Sequence, residues 1–279
     1  MNESLNTIPH LEVLLLDDLL EHERHDDQRA GPLIARIQKS GILRNPPIVT
    51  PLQDGSQRHM ILDGANRITA LRHLDFKHAA VQVVSPDDPG LKLYNWNHVV
   101  WNFTPDEMLA ALDKLQDISV NRGDLINSPD SKEKSLAKFE TGHGDLFTLC
   151  THTRNLGIWA SLLNAIVDIY KEHASLDRTS EWSVVRLKSA YQDLCGLVIF
   201  PKFEIHQVLS LAGRGSLLPT GITRFTVSPR VLHLNFPLEA LAVDGPLEQK
   251  NHHLQEFLQQ RITQKGVRYY AEATYLFDE

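Results

Sequence analysis

The residues best suited to chemistry in this chain are an aspartate, the glycine that follows it and an arginine four positions after the aspartate, namely Asp63, Gly64 and Arg67. The residues before Asp63 form a short apolar run, which predicts a buried strand, and the apolar residues after Arg67 recur at helical spacing. Gly64 accepts backbone angles that other residues avoid, so we expect a tight turn between the two elements. The N–H groups that open the helix, together with the planar guanidinium of Arg67, are typical of a phosphate site.

The same three residues also fit a purely structural interpretation. Asp63 can cap the helix, and Arg67 can be a solvated helix residue. A carboxylate next to a bound phosphate is repulsive unless it holds a metal, or a substrate amine or hydroxyl. Spacing alone leaves both interpretations open.

A second group of polar residues precedes the first predicted helix. Glu23 follows His22, with Glu21 two positions before it, in a stretch that we expect to be a surface loop from 21 to 29. An ordinary solvated carboxylate is the simplest explanation of Glu23. The run also resembles the zinc-protease motif, but His25 follows His22 by three positions instead of four, so the two rings cannot share one helical face. We therefore reject a zinc protease.

Two further pairs of residues are candidates for a substrate pocket. Thr223 and Arg224 begin a predicted strand after a turn at Gly221, where ordinary edge-strand residues would show the same pattern. The guanidinium fork of an arginine suits a carboxylate or a phosphoryl oxyanion. Trp96 and His98 lie on the segment that leaves the first predicted domain, and Trp96 fits a core position between two domains equally well.

The composition is that of an ordinary globular protein, with 279 residues, 42% of them hydrophobic and 23% charged. The net charge of −7 argues against a generally basic nucleic-acid surface. The N-terminus lacks a cationic start followed by an apolar region, and no apolar run approaches the roughly 20 residues that cross a bilayer. Two cysteines, Cys150 and Cys195, are too few for a disulfide framework. We expect a cytoplasmic protein without a membrane partner.

Periodicity predicts an α/β (α+β) protein of two domains, with the boundary between residues 100 and 130. Residues 121–140 are polar, and we expect them to be exposed. The runs 224–227 and 231–236 are predicted to form one β-hairpin, and 269–277 a terminal strand. Helices are predicted at 32–39, after Arg67, from a cap at Thr104 onward, and at 157–173, 204–212 and 247–262.

Residues 63–67 resemble the D-G-x-H-R signature of the ParB/sulfiredoxin superfamily. Within it the chain is most similar to the free L-serine kinases of the siderophore-cluster type, which make O-phospho-L-serine. The similarity covers nearly the whole chain, through ordered motifs at 22–23, 41–49, 96–98, 143–145, 219–225 and 270–276. The resemblance implies a ParB/sulfiredoxin-like nucleotide domain at 1–105 and an α+β domain at 106–279 that closes a cleft over free L-serine.

The resemblance also implies the activity and the residues that carry it. ATP or ADP, with Mg²⁺, would donate a phosphoryl group to the serine hydroxyl, and Glu23 would take the proton of that hydroxyl. The implied residues are Glu23 and Asp63 for catalysis, Gly64, Ala65, Asn66, Arg67 and Thr69 for the nucleotide, and Trp96, His98, Thr223 and Arg224 for serine. The metal ligands and the oligomeric state stay open.

Two residues of the signature differ from those found elsewhere in the superfamily. Asn66 stands where the family usually has histidine; its amide can donate to a phosphate oxygen but cannot carry charge or relay a proton. Ala65 lies in the turn where sulfiredoxins place their catalytic cysteine, and an alanine has no sulfur for that reaction. The sequence therefore excludes sulfiredoxin activity.

Two other classes of protein compete with the kinase. The first is a ParB-like regulator that responds to a nucleotide or ligand and binds DNA, against which stand the acidic charge and the lack of a convincing helix-turn-helix. The second is a sensor that binds haem or a metal through Cys150, His152 or a neighbouring histidine. No histidine shows firm ligand spacing.

Overall fold

The computed structural model describes residues 8–24, 30–124 and 133–270. The strands that begin before residue 100 are β1 (Leu11–Leu15), β2 (Leu19–Leu20), β3 (Ile42–Leu43), β4 (Ile48–Pro51), β5 (His59–Asp63), β6 (His78–Val83), β7 (Lys92–Asn95) and β8 (Asn97–Trp101). The later strands are β9 (Ser119–Arg122), β10 (Lys134–Thr141), β11 (Leu146–Thr151), β12 (Ser175–Thr179), β13 (Leu194–Ile199), β14 (Thr223–Thr226) and β15 (Phe236–Pro237). The helices are α1 (Ala30–Ser40), α2 (Ala65–His73), α3 (Pro105–Leu112), α4 (Leu156–Lys171), α5 (Ile205–Gly213), α6 (Glu239–Ala242) and α7 (Leu247–Thr263). The mixed α/β class predicted from periodicity is confirmed.

The N-terminal part of the chain builds a five-stranded mixed sheet in the order β1, β6, β4, β5, β2. Strands β4 and β5 pair antiparallel, and β2 runs parallel to β5. Successive residues of β5 enter different cores because side chains alternate along a strand. Met60 and Leu62 pack with the second half of the chain, whereas Ile61 packs with α1 and α2. Both faces of this sheet are therefore covered.

The predicted strand, turn and helix around Asp63 are present. Strand β5 ends at Asp63, and α2 begins at Ala65 with Gly64 as its N-cap residue. Gly64 has a φ of +94°, in the left-handed region that favours glycine. Ile68 and Leu71 of α2 are fully buried, so packing holds the helix with its N-terminus next to the end of β5.

The second large sheet is antiparallel and has the order β12, β8, β13, β10, β11, β9. Phe139 on one face packs in a single core with Met108 of α3 and Leu163 of α4. Val99 and Leu197 on the other face belong to a smaller cluster. The same large core includes residues of α5, which contacts β5, so the two sheets share it.

The predicted start of α3 is confirmed, together with its cap. The Thr104 hydroxyl oxygen accepts from the N–H of Glu107 over 3.2 Å, and the Glu107 carboxylate accepts from the N–H of Thr104 over 3.1 Å. This reciprocal pair is a capping box. The other predicted helices are also present, as α1, α4, α5 and α7.

The C-terminal part of the chain returns to the first sheet. Asn251 of α7 exchanges two hydrogen bonds with the backbone of Val13 in β1, at 2.8 and 3.0 Å. Leu254 of α7 is fully buried in the core of that sheet. Strand β8, at 97–101, pairs in the second sheet, so pairing there begins before residue 105. The division into 1–105 and 106–279 stays a prediction.

The predicted hairpin of 224–227 with 231–236 is wrong. Strand β14 pairs instead with β7, and the two-residue strand β15 pairs with β3. The apolar spacing of 231–236 comes from Leu234 and Phe236, which are buried in the core of the first sheet. Residues 231–235 themselves form no strand. Local periodicity identified buried residues but not their pairing partners.

Two other predicted elements also differ from the structure. Residues 134–140 are not exposed: they lie in β10, an inner strand of the second sheet, where Leu136 and Phe139 are fully buried. The polar neighbours of these two residues, Lys134, Ser135, Lys138 and Glu140, hid the strand from a composition-based prediction. Tyr269 and Tyr270 are exposed and form no strand, and the rest of the predicted terminal strand lies outside the described residues. None of the described helices is long and apolar enough to span a bilayer.

Candidate active site

A cleft of about 470 Å³ lies where the loop after β2 and the N-terminus of α2 meet the segment before β14. Both halves of the chain contribute to its walls. The lining residues are Glu21, His22, Glu23, Arg24, Leu33, Asn45, Ile61, Leu62, Asp63, Gly64, Ala65, Asn66, Arg67, Arg178, Thr220 and Thr223.

Glu23 is held at one end of the cleft by four hydrogen bonds from one turn. Its Oε1 accepts from the N–H of Ile222 at 3.0 Å, from the N–H of Thr223 at 2.7 Å and from the Thr223 hydroxyl at 2.6 Å. Its Oε2 accepts from the N–H of Gly221 at 2.5 Å. A carboxylate oxygen offers two lone pairs, so Oε1 is saturated and Oε2 retains acceptor capacity. The orientation of the carboxylate is therefore fixed, and its Oε2 can still accept one more hydrogen bond.

The loop that carries Glu23 is bound to the segment 217–223 by its backbone. The N–H of Arg24 donates to the carbonyl of Leu218 at 2.8 Å, and the N–H of Leu218 donates to the carbonyl of His22 at 2.9 Å. The Thr220 hydroxyl donates to the carbonyl of Arg24 at 2.6 Å. This short parallel bridge explains why Glu23 is not the solvated surface residue that its local sequence suggests.

His22, next to Glu23, lies between β5 and β14. Its Nδ1 is 2.8 Å from the carbonyl oxygen of Ile61, and its Nε2 is 2.7 Å from the Thr223 hydroxyl oxygen. The ring of Phe225 packs against the imidazole edge to face, with 5.3 Å between centroids. Burial lowers the pKa of His22, and the neighbouring Glu23 carboxylate acts in the opposite direction.

Asp63 lies at the other end of the cleft, paired with two arginines. Arg67 donates through Nη2 to Asp63 Oδ2 at 3.0 Å and through Nη1 to the carbonyl of Asn45 at 3.2 Å. Arg230 donates to the same Oδ2. Two cations and one anion leave this end with a net positive charge, which suits a phosphate group. Burial lowers the pKa of Arg67, and the Asp63 carboxylate acts against that effect.

Gly64 makes this arrangement possible in two ways. It supplies the left-handed turn before α2, and a Cβ at its position would lie 2.7 Å from Arg67 Nη2. The guanidinium of Arg67 therefore folds back over the glycine to reach Asp63. No side chain caps the N-terminus of α2, so the N–H groups of Ala65 and Asn66 open into the cleft that both residues line.

The turn that binds Glu23 is supported from behind by a buried histidine. His98 Nε2 is 3.2 Å from the carbonyl oxygen of Gly221, and Nδ1 is 2.8 Å from the Tyr170 hydroxyl. His98 and Tyr170 are both fully buried. Burial lowers the pKa of His98 to about 4, so the ring is neutral at pH 7 and donates to Gly221. Burial also raises the pKa of Tyr170, whose hydroxyl donates to the ring.

Arg178 covers the cleft side of the same turn. A Cβ at Gly221 would clash with Nε, Cζ and Nη2 of Arg178, so the guanidinium lies flat against this glycine. Gly221 also has a φ of +75°. The position therefore requires glycine, and it places a cation next to the turn whose N–H groups bind Glu23.

The structure brings seven of the eleven predicted site residues to the cleft. These are Glu23, Asp63, Gly64, Ala65, Asn66, Arg67 and Thr223. The other four do not line it. Thr69 lies one helical turn further along α2, and His98 is buried behind Gly221. Arg224 stacks on the ring of Trp96, with its Cζ 4.6 Å from the ring centroid.

Alternation along β14 explains the position of Arg224. Thr223 faces the cleft, so the next side chain points to the opposite side of the strand. The roles predicted for Trp96, His98 and Arg224 in binding serine stay predictions. The site also includes residues to which the sequence analysis assigned no role, above all Arg178, Arg230 and Thr220. Thr220 lies within the motif at 219–225, whereas Arg178 lies in no motif, and the register of β12 against β8 brings it next to the turn.

Of the residues named for a haem or metal sensor, Cys150 lies in strand β11 of the second sheet and His152 follows the end of that strand. Cys150 is buried in β11, and burial raises the pKa of its thiol, which disfavours the thiolate that binds metals. The side chain of His152 is exposed, with Nε2 3.8 Å from a Glu133 carboxylate oxygen. This placement gives no support to a ligand site shared by the two residues.

The described residues hold no group of three or more metal-ligating side chains. Mg²⁺ does not require one, because it is commonly bound by one or two carboxylates, water and the phosphates of a nucleotide. Asp63 is the carboxylate beside the positive end of the cleft. The residues present therefore fit Mg²⁺ that arrives with a nucleotide.

No known protein-family model matches the chain. The chain is 26% identical over 275 residues to the ATP-dependent L-serine kinase SbnI of Staphylococcus aureus, which covers 97% of this chain and 98% of the relative. It is also 26% identical over 137 residues to the ATP-dependent L-serine kinase of Staphylothermus marinus, covering 48% of this chain and 51% of that protein. These relatives confirm the resemblance to free serine kinases that the motifs indicated.

Solved structures agree with the fold. SbnI with a C-terminal truncation, from Staphylococcus aureus, has a TM-score of 0.75 at 22% identity and covers 94% of this chain and 100% of that chain. A free serine kinase in complex with AMP has a TM-score of 0.65 at 18% identity and covers 83% of this chain and 93% of that chain. These likenesses show that the chain shares its fold with both proteins.

Proposed function

We propose that this chain is an ATP-dependent kinase of free L-serine, which transfers the γ-phosphoryl group of ATP to the serine hydroxyl and releases O-phospho-L-serine. The observation that carries the proposal is the pairing of two ends in one cleft. A carboxylate with free acceptor capacity, Glu23, lies at one end, and a cationic helix N-terminus with Arg67 lies at the other. The relatives named above are ATP-dependent L-serine kinases, which favours ATP over ADP as the donor.

Each end has a separate task in this reaction. Bound Mg²⁺-ATP supplies the phosphoryl group and shields its negative charge. The N–H groups of Ala65 and Asn66 and the guanidinium of Arg67 hold the phosphates of the nucleotide. Asp63 keeps Arg67 and Arg230 together at this end and is the carboxylate available to Mg²⁺.

The serine end orients the nucleophile. Glu23 Oε2 accepts the serine hydroxyl, aligns its oxygen with the phosphoryl group and takes its proton as the oxygen–phosphorus bond forms. Arg178, flat on Gly221, is the cation nearest this turn in the set of lining residues and fits the serine carboxylate. A small substrate offers few contacts, so a cleft with walls from both halves of the chain also helps to exclude water.

The regulator that binds DNA is the less favoured alternative. Its support was the superfamily signature alone, and both relatives named above are ATP-dependent L-serine kinases. The haem or metal sensor finds no support in the placement of Cys150 and His152.

The proposal is tested with the full-length protein, Mg²⁺ and either ATP or ADP, incubated with each of the common amino acids. We expect phosphorus NMR to show O-phospho-L-serine with serine and ATP, and little product with threonine or other amino acids. The Glu23→Gln protein serves as the control for contaminating kinases. Absence of phosphoserine from a folded protein that binds ATP would overturn the proposal.

A further inference from the structure

The Thr223 hydroxyl lies between two acceptors. Its oxygen is 2.6 Å from Glu23 Oε1 and 2.7 Å from His22 Nε2. The other ring nitrogen of His22, Nδ1, is 2.8 Å from the carbonyl oxygen of Ile61. A carbonyl oxygen can only accept, so Nδ1 carries the ring proton, and Nε2 of the neutral imidazole is an acceptor.

A count of protons shows that both contacts cannot be hydrogen bonds at once. Thr223 has one hydroxyl proton, and it faces an ionised carboxylate and a neutral ring nitrogen. The proton goes to Glu23 while that group is ionised, because hydrogen bonds to charged acceptors are the stronger ones. Once Glu23 is protonated at Oε2, Oε1 becomes a carbonyl oxygen and a weaker acceptor. The hydroxyl can then turn to His22 without moving its oxygen.

We propose that the Thr223 hydroxyl switches from Glu23 to His22 when Glu23 accepts the serine proton, and that His22 is thereby a positioning residue that strengthens Glu23 as a base. The inference rests on the proposed function. In the transfer, the serine O–H bond breaks, its proton bonds to Glu23, and its electron pair forms the new oxygen–phosphorus bond. The bond between the γ-phosphorus and the bridging oxygen breaks, and its electrons leave with ADP.

The surroundings of His22 support a neutral ring. Burial lowers its pKa, and the ring of Phe225 packs against it in a T-shaped arrangement. On β5, His59 and Asp63 flank Ile61, and on β14 the charged side chain of Arg224 lies on the Trp96 side. Arg178 lies against Gly221. Ion pairs around the loop join Glu21 to Arg72, Arg24 to Asp168, and Asp63 to Arg67 and Arg230. Among the described residues, Glu23 is the carboxylate that contacts the Thr223 hydroxyl.

Two single substitutions are expected to change the pH dependence of kcat/KM in opposite directions. In His22→Leu the Thr223 hydroxyl has no second acceptor to turn to when Glu23 is protonated, so protonation of Glu23 is disfavoured. The acid limb of kcat/KM therefore moves to lower pH by up to about one unit, and kcat falls by up to roughly tenfold. Thr223→Val removes a donor to the carboxylate, which favours protonation, so the acid limb moves to higher pH. Thr223→Ser keeps the hydroxyl and is expected to restore the wild-type limb.

The double variant, His22→Leu with Thr223→Val, tests whether His22 acts through Thr223. We expect its acid limb to match that of Thr223→Val alone. Shifts of the two single variants in the same direction, or a double variant whose limb equals the sum of both shifts, would overturn the switch. Failure of the wild-type protein to make phosphoserine would instead overturn the proposed function, so the two outcomes are distinguishable.

A second measurement does not depend on activity or on the folding of His22→Leu. Glu23→Gln is a neutral mimic of the protonated carboxyl, so in this variant the Thr223 hydroxyl is expected to donate to His22. Nitrogen NMR should then show a change in the Nε2 resonance of His22 relative to wild type, and no such change when Thr223→Val is added. An unchanged resonance in Glu23→Gln would contradict the switch.

Discussion

Arg67 reaches back over Gly64 to donate to Asp63, with 3.0 Å between Nη2 and Oδ2. The guanidinium is largely buried, with 17% of its side chain exposed. Arg230 binds the same carboxylate oxygen from the C-terminal half of the chain. Asp63 therefore holds two cations beside the open N-terminus of α2. This pairing keeps the cationic end of the cleft, which we propose as the phosphate end, formed without a bound nucleotide.

Arg67→Ala is the direct test of the phosphate end. The substitution removes a charge-assisted hydrogen bond that typically contributes roughly 1.5–3 kcal/mol, so nucleotide affinity should fall by about ten- to a hundredfold. Calorimetric titration with ATP measures the change. Arg58→Ala is the matched control, because Arg58 pairs with Asp54 away from the cleft lining. Unchanged ATP binding by folded Arg67→Ala would remove Arg67 from the nucleotide site.

Glu23→Gln tests the base. Turnover should fall by on the order of 10²–10⁴, with nucleotide affinity nearly constant, because the proton acceptor is lost and the phosphate end is untouched. Steady-state phosphoserine formation and calorimetry measure the two quantities. An amide NH₂ would face the N–H of Gly221, so thermal unfolding must show that the variant is folded.

Glu21→Gln is the matched control for the base. Glu21 also lines the cleft, but its carboxylate pairs with Arg72 at 3.3 Å, so we expect little change in turnover. If Glu21→Gln abolishes turnover and Glu23→Gln does not, the base is Glu21. Near-normal phosphoserine formation by both variants would refute a carboxylate base in this loop.

Arg178→Ala tests the cation that we assign to the serine carboxylate. The KM for serine should rise by roughly ten- to a hundredfold, with little change in the KM for ATP, since the side chain lies at the Glu23 end. Arg224→Ala is the comparison, because its guanidinium stacks on Trp96 outside the cleft lining. A larger rise for Arg224→Ala than for Arg178→Ala would favour Arg224, the residue that the sequence resemblance indicated.

The buried His98 is expected to make the free energy of unfolding depend on pH. Its pKa is lowered to about 4 by burial, so between pH 6.5 and 4 the unfolded chain binds a proton that the folded protein does not. The free energy of unfolding should therefore fall as the pH is lowered through this range, by up to roughly 3 kcal/mol from this residue. Urea unfolding at pH 7, 5.5 and 4.5 measures the slope.

The matched variant for that measurement is His98→Asn, which cannot titrate. It should be less stable than wild type at pH 7, because the hydrogen bond to Gly221 is disturbed. Its loss of stability between pH 7 and 4.5 should be smaller than that of wild type. Equal pH dependence of the two proteins would show that His98 does not contribute to it.

Much of the phosphate end follows from the sequence by itself. The order of an apolar run, Asp63, Gly64 and a helical pattern predicted the strand, the turn and the helix, since each depends on residues within one turn of each other. Gly64 has the positive φ that this turn requires. Local chemistry was sufficient there, and the capping box at Thr104 is a second such case.

Only the tertiary structure decided the composition of the serine end. Glu23 binds the turn at 221–223 across about two hundred positions, and no local pattern records that contact. The pairing of β14 with β7 decided that Thr223 faces the cleft and Arg224 faces Trp96, because neighbouring side chains of a strand point to opposite sides. A register shift of one residue would exchange them, and register depends on the partner strand that folding supplies.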